Sequence, residues 1–177
     1  TGQVIGVDMT DEMIAAAQQN AARAGFDNID VRRGLIEDLP VEDASVDWVI
    51  SNCVINLSPD KPAVFREISR VMKPGARFSI SDIVVGELPD WIRESAAAWS
   101  ACVAGAISEE AYLQGLRDVG LVDVAVTERL VYDACQLQAI LSEDIPGLDL
   151  DRDQIEALLQ EYSGEVWSAK FSGRKPD

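Results

Sequence analysis

The stretch VDWVISNCVINLSPDK, residues 46–61, changes character half-way along. VDWVIS is short, mostly apolar and rich in β-branched residues, which suits a strand. Its far end, SPDK, offers a serine able to cap a helix and a proline suited to the first helical position. Between the two lies Cys53, flanked by Asn52 and Asn56. A strand that runs through a short loop into a helix is the building unit of α/β folds. In such folds ligands sit beyond the carboxyl ends of the strands. The stretch therefore puts a thiol where an α/β protein carries its site. Core packing is the other reading of Cys53, because cysteine is among the most often buried residue types.

The same pattern extends in both directions. QVIGVDM reads as a buried strand, followed by a helix over 11–24 that Thr10 is placed to cap. Asp11 and Glu12 suit the positive end of that helix, and Gly25 suits its exit. IDVRRG, from Ile29, is a second strand, and GLIEDLP is the loop leaving it. Ser58-Pro59 starts a helix that runs to about Met72, where Lys73-Pro74-Gly75 stops it. RFSISDIVV is a fourth strand. A mostly helical stretch over 90–119 follows, broken near Ser108 and ended by Gly120. A strand over 122–127, a helix over 154–162 and the alternating strand EVWSAKFSG complete the chain. Strands alternating with helices predict an α/β fold with a mainly parallel sheet. The late strands predict an antiparallel edge added to it.

Composition narrows the function. The 177 residues suit one domain with a sizeable core. A net charge of −16 opposes binding to phosphate backbones and to anionic membranes. The longest uncharged run, residues 95–108, is 14 residues long and contains serines, too short and polar for a membrane span. Three cysteines without a CxxC pair argue for a reducing cytosol rather than a disulfide scaffold. The chain has no histidine, so the commonest general base and metal ligand is absent. Chemistry must run on carboxylates, thiols, hydroxyls or a bound cosubstrate.

The candidate site residues follow the strand ends. Asp8 ends the first strand, where a carboxylate can accept from ribose hydroxyls; an exposed strand-end acid is the alternative. Met9 offers an adenine face or core packing. Ile36 and Glu37 follow the second strand, and Glu37 borders an adenine pocket or is simply a solvated loop acid. Asn52 and Asn56 offer amide dipoles, or make turns. Asp82 stands at the corresponding position of the fourth strand.

The order GVDMT, GLIEDLP, DWVISNCVINL, REISRVMKPGARFSISD resembles a class I S-adenosylmethionine (SAM)-dependent methyltransferase. SNCVINLSPDK followed by SDIVV, WSACVAGA and EEAYL resembles the arsenite methyltransferase family in particular. That resemblance spans nearly the whole chain. It implies a Rossmann-like sheet, SAM as cofactor, and arsenite or its thiol conjugates as substrate. It implies Cys53 and Cys102 as the catalytic thiols that ligate As(III), with a small-molecule thiol or water as a third ligand. Asp8, Met9, Ile36, Glu37 and Asn52 fall at positions it assigns to the cofactor. Soft thiolates suit a thiophilic centre. Close helix packing is the alternative for Cys102, which lies in a run of small residues, and Cys135 matches no family thiol.

One departure stands out. Chains of that family begin earlier, with a first strand and a glycine-rich loop that cradles the methionine half of SAM. No G-x-G-x-x-G occurs in these 177 residues. The expectation is therefore an N-terminally truncated sheet lacking its central first strand, with weak or no SAM binding by this chain alone. Residues 1–86 are expected to form the partial SAM-binding domain. Residues 87–177 are expected to add a helical insertion and a small α+β part carrying some of the arsenic site. Open strand edges invite pairing between copies, so a homodimer or larger is expected. Two other functions stay open: a SAM methyltransferase for another small molecule, and a non-catalytic remnant that is oligomeric or binds a metalloid.

Overall fold

The computed structural model describes residues 2–87, 103, 105–133, 135–136 and 160–177. Its elements run β1 (Val4–Asp8), α1 (Asp11–Ala24), β2 (Ile29–Arg33), β3 (Val46–Asn52), α2 (Lys61–Val71), β4 (Met72–Val85), α3 (Glu109–Asp118), β5 (Val122–Val131) and β6 (Val166–Arg174). A 3₁₀ turn, Ile55–Leu57, separates β3 from α2.

The strands form two sheets. β1 pairs with β2 in parallel, from Val4↔Ile29 to Asp8↔Arg33. The other sheet has the order β3-β4-β6-β5. Within it β3 and β4 are parallel, joined by the crossover helix α2, while β6 runs antiparallel to both β4 and β5. The fold is thus the expected α/β architecture with an antiparallel edge. Among the described residues no ladder joins β1 or β2 to β3, so the sheet is split where a central strand is expected.

The core lies on the larger sheet. Phe78, Ile80 and Val84 of β4 alternate inward, as period-two geometry requires, and meet Phe171 and Ala169 of β6. α2 supplies Val64, Phe65 and Ile68, the i, i+1, i+4 face of an amphipathic helix. α3 adds Tyr112 and Leu116, one turn apart. Tyr112 stacks on Phe171 at 4.2 Å between ring centroids and meets Phe65 edge-on at 5.2 Å. Gly115 permits this approach of α2 and α3, since a Cβ there would lie 2.5 Å from the Phe65 ring.

β1, α1 and β2 are different. No residue of α1 is buried, and Val4, Met9 and Met13 are each more than half exposed. The sequence expectation of a buried first strand is therefore corrected. Among the described residues β1 has a hydrogen-bonded neighbour on one edge only, and its side chains stay half-open. What fastens this part is the loop after β2. Arg70 of α2 donates to Leu39 O at 3.0 Å and Val41 O at 2.8 Å, while Glu67 accepts from Leu39 N at 2.8 Å. Arg70 in turn holds the Glu67 carboxyl below its ordinary range.

Three local expectations also change. Thr10 is the N-cap residue of α1 but makes no side-chain cap bond; its hydroxyl donates instead to Asp8 Oδ1 at 2.9 Å. α2 starts at Lys61 rather than at Pro59, because Asp60 caps it by accepting from Ala63 N at 2.9 Å. Lys73-Pro74-Gly75 does not separate helix from strand: β4 begins at Met72, and the register slips there from Val46↔Met72 to Trp48↔Arg77. Most of the expected helical stretch before Ser108 lies outside the described residues, as does the greater part of the 154–162 helix.

Candidate functional site

β3 ends at Asn52, and the chain turns sharply at the next residue. Cys53 has φ of 52°, in the left-handed region that non-glycine residues seldom adopt. Strain of this kind persists only where surrounding bonds over-determine it. Here those bonds come from β4. Cys53 N donates to Ser81 O at 2.9 Å. Asn56, fully buried in the 3₁₀ turn, donates from Nδ2 to Ile83 O at 2.6 Å. Lys61 then closes the turn from below, donating from Nζ to Ser58 O at 3.1 Å and to Asn56 O at 3.3 Å.

Asp82 lies under the turn and is fully buried. Its carboxylate accepts from Ile83 N at 3.0 Å and from the Tyr112 hydroxyl at 3.3 Å. Burial pushes its pKa from 3.8 to about 6, against the opposing pull of these bonds and of the Lys61 charge. The same surroundings act on the thiol. Burial, and then the Asp82 carboxylate, raise Cys53 above the ordinary thiol value. Burial lowers Lys61, and burial followed by the Asp82 charge raises Tyr112. Burial, and then the Cys53 thiol, raise Tyr132. Asn56 Oδ1 is buried without a hydrogen-bond partner. The arrangement keeps a protonated thiol on a rigid turn above a buried polar cluster.

The other candidate residues flank this centre. Asp8 is half-buried at the end of β1; Thr10 N and Oγ occupy its Oδ1, leaving Oδ2 for another donor. Glu37 accepts a hydrogen bond from the Ser58 hydroxyl, tying the loop after β2 to the end of the thiol turn. Asn52 is exposed at the end of β3, level with Ser81.

Residues 1–120 match the model of a methyltransferase domain. The chain belongs to this methyltransferase family. It is 39% identical over 99% of its length to the arsenite methyltransferase of Halobacterium salinarum, and 40% identical over 72% of its length to that of Aquipseudomonas alcaligenes. It spans about two-fifths of those relatives, 41% and 39% of their lengths. Among solved structures it matches an arsenic(III) S-adenosylmethionine methyltransferase from Chlamydomonas reinhardtii. That match has a TM-score of 0.72 and 32% identity, covering 99% of this chain and 56% of the other.

SAM is the cofactor that a methyltransferase of this kind implies, and the residues present fit its adenosine half. Asp8 Oδ2 is an acceptor available to a ribose hydroxyl, and the Met9 side chain, 63% exposed, offers an apolar surface beside it. That exposure removes the core-packing alternative for Met9. Ile36 instead packs partly against the hydrophobic core, and Glu37 is engaged by Ser58. Cys53 and Asp82 come together, whereas no ladder among the described residues joins β1, which carries Asp8, to β3. Cys102 lies outside the described residues. Cys135 is exposed. No cluster of three or more metal-binding side chains occurs among the described residues, and no described helix is long and apolar enough to cross a membrane.

Sequence reasoning did not single out Lys61, Tyr112 or Tyr132. Tyr112 carried a signal: its i, i+4 spacing with Leu116 puts a hydroxyl on a buried face, where it requires a partner.

Proposed function

We propose that this chain is the core of a SAM-dependent methyltransferase whose methyl acceptor is trivalent arsenic, held by the thiolates of Cys53 and Cys102. The observation that carries this reading is Cys53 itself, a thiol fixed in a strained conformation at a strand's carboxyl end, in a chain whose relatives are arsenite methyltransferases. When bound, SAM supplies an electrophilic methyl group on a sulfonium sulfur. Asp8 and Met9 would hold its adenosine. Cys53 would bind arsenic by exchange: an S–As bond replaces As–OH, and the thiol proton leaves with the hydroxide as water. A thiol held protonated is no obstacle to that exchange, because the proton has an acceptor in the leaving group. The arsenic lone pair is the nucleophile, so no general base is required and the lack of histidine fits. The protein's contribution is orientation and exclusion of water.

The test is a titration of the reduced protein with As(III), followed by tryptophan fluorescence. Trp48 lies on β3, five residues before Cys53. Saturable binding that weakens at least tenfold in Cys53→Ser and in Cys102→Ser supports the reading. Binding indifferent to both substitutions returns the site to a methyltransferase for some other small molecule.

The split sheet favours a narrower form of the same proposal, in which this chain retains the metalloid site but transfers methyl groups weakly when alone. Calorimetry with SAM tests it, since micromolar affinity would refute it. The open edges of β1 and β3 also favour association of copies, which net charge opposes.

A further inference from the structure

A groove of about 1050 Å³ lies between α2 and α3. α3 faces it with Ala111 and Gly115, one turn apart and too small to fill the space. α2 faces it with Phe65, whose ring packs against Gly115 and forms an apolar floor. Ile107, before α3, and Val119, after it, extend the apolar lining.

The same groove is basic in an acidic protein. Four cations line it, Lys61, Arg66, Arg70 and Lys175, against one carboxylate, Asp118, while the chain carries −16 overall. Arg70 is neutralised by Glu67 and Asp43, each at 2.6 Å. Lys61 donates to Asn56 O and Ser58 O, and Lys175 donates to Ser69 O and Met72 O. Main-chain oxygens hold both ammonium groups without cancelling their charge. Arg66 is exposed and makes no ion pair or hydrogen bond among the described residues. With 31 acidic residues against 15 basic ones, carboxylates are plentiful elsewhere on this chain. Three cations without one, along a single groove, attract negative charge from outside it.

The spacing of the cations selects the shape of the occupant. Lys61 is the first residue of α2, and Lys175 is bound to carbonyls at that helix's other end. The 11 residues between these ends span about 16 Å, with Arg66 near the middle. One small anion cannot reach all three. A helical peptide of about three turns can, with acidic side chains toward the cations and apolar ones on Phe65, Ile107 and Val119.

We propose that the α2–α3 groove is a docking site for an acidic amphipathic segment of a partner protein. Such docking does not depend on arsenic chemistry.

The probe is a fluorescent synthetic peptide of about 15 residues, with leucine on one helical face and glutamate on the other, followed by anisotropy. The expected result is saturable binding that weakens as salt is raised. Arg66→Glu, which reverses the central charge, should weaken it at least about tenfold, as should Ala111→Trp, which fills the groove from an exposed position. Arg77→Glu makes the same charge change at an exposed cation of β4 outside the groove and should leave binding within about twofold. The peptide with lysine in place of glutamate should not bind. Absence of binding, indifference to both groove variants, or equal weakening by Arg77→Glu overturns the proposal. A concentration-dependent rise in mass that Arg66→Glu abolishes also overturns it, because a second copy of the chain would then be the occupant.

Discussion

A buried carboxylate raised from 3.8 to about 6 should make the protein less stable as pH rises through that window. The native state binds the Asp82 proton more tightly than the unfolded chain does. Between the two pKa values the folded protein therefore carries more protons, and unfolding free energy falls with increasing pH. The contribution is fully present below the unfolded value and is lost as pH passes the folded one. A shift of this size corresponds to about 3 kcal/mol over the whole window, of which about 2 kcal/mol falls between roughly pH 4.5 and 7. Other acids titrate over the same range, so the informative quantity is a difference. Urea unfolding of the wild type and of Asp82→Asn, run at several pH values, isolates it. The wild type is expected to lose about 2 kcal/mol relative to the variant between roughly pH 4.5 and 7. A difference independent of pH would refute the argument. A difference of opposite sign would mean that the hydrogen bonds and Lys61 outweigh burial and hold Asp82 ionised.

Arg70→Ala removes the donors to Leu39 O and Val41 O that fasten the loop after β2, and should cost about 1–3 kcal/mol. Hydrogen exchange should then quicken in residues 34–45 and in β1 and β2 while β4 and β6 stay protected; a uniform response would count against the loop as the fastening. Gly115→Ala drives a methyl against the Phe65 ring and should destabilise by about 1–3 kcal/mol, read as a lower urea midpoint. Unchanged stability would show that α2 and α3 separate freely. Sedimentation at micromolar concentration should give a mass above 19.3 kDa if the open edges of β1 and β3 pair between copies, and a monomer would reject that pairing.

Legibility in the sequence followed how local each signal was. The helix over 11–24 has the ends expected of it because Gly25, at φ of 72°, supplies a stop that needs nothing from the rest of the fold. The start of α2 was ambiguous because SPDKP holds two capping residues and two prolines. Tertiary contacts decide between them: the Ser58 hydroxyl donates to Glu37, so the cap passes to Asp60. At the site, Cys53 stood out by its place after a strand. Asp82 was visible as a strand-end acid, and FSISDIVV also puts it in line with Ile80 and Val84, on the buried face. What the pattern does not show is the convergence of Tyr112, Tyr132 and Lys61. They come from three parts of the chain distant in sequence, and only the packing of α2, α3 and the antiparallel edge brings Tyr112 and Lys61 to the Asp82 carboxylate and Tyr132 to the Cys53 thiol.

Asp82 also bears on why this site is built as it is. A charge in the interior is a poor route to stability, and an apolar residue of similar volume is often as good or better. Yet here the core encloses a carboxylate on a strand whose neighbours on the same face are Ile80 and Val84. The bonds it accepts come from Ile83 N and from the hydroxyl of Tyr112, which also stacks on Phe171 in the core. The thiol turn is fastened to the same buried strand through Ser81 O and Ile83 O. Asp8 and Met9, proposed for the adenosine side, lie by contrast at the end of β1, which has no buried residue and, among the described residues, one paired edge. The two halves of the candidate site thus differ in rigidity. On the function proposed above, arsenic binding should survive perturbations that abolish cofactor binding, and the order in which the two are lost on mild urea treatment would measure that difference.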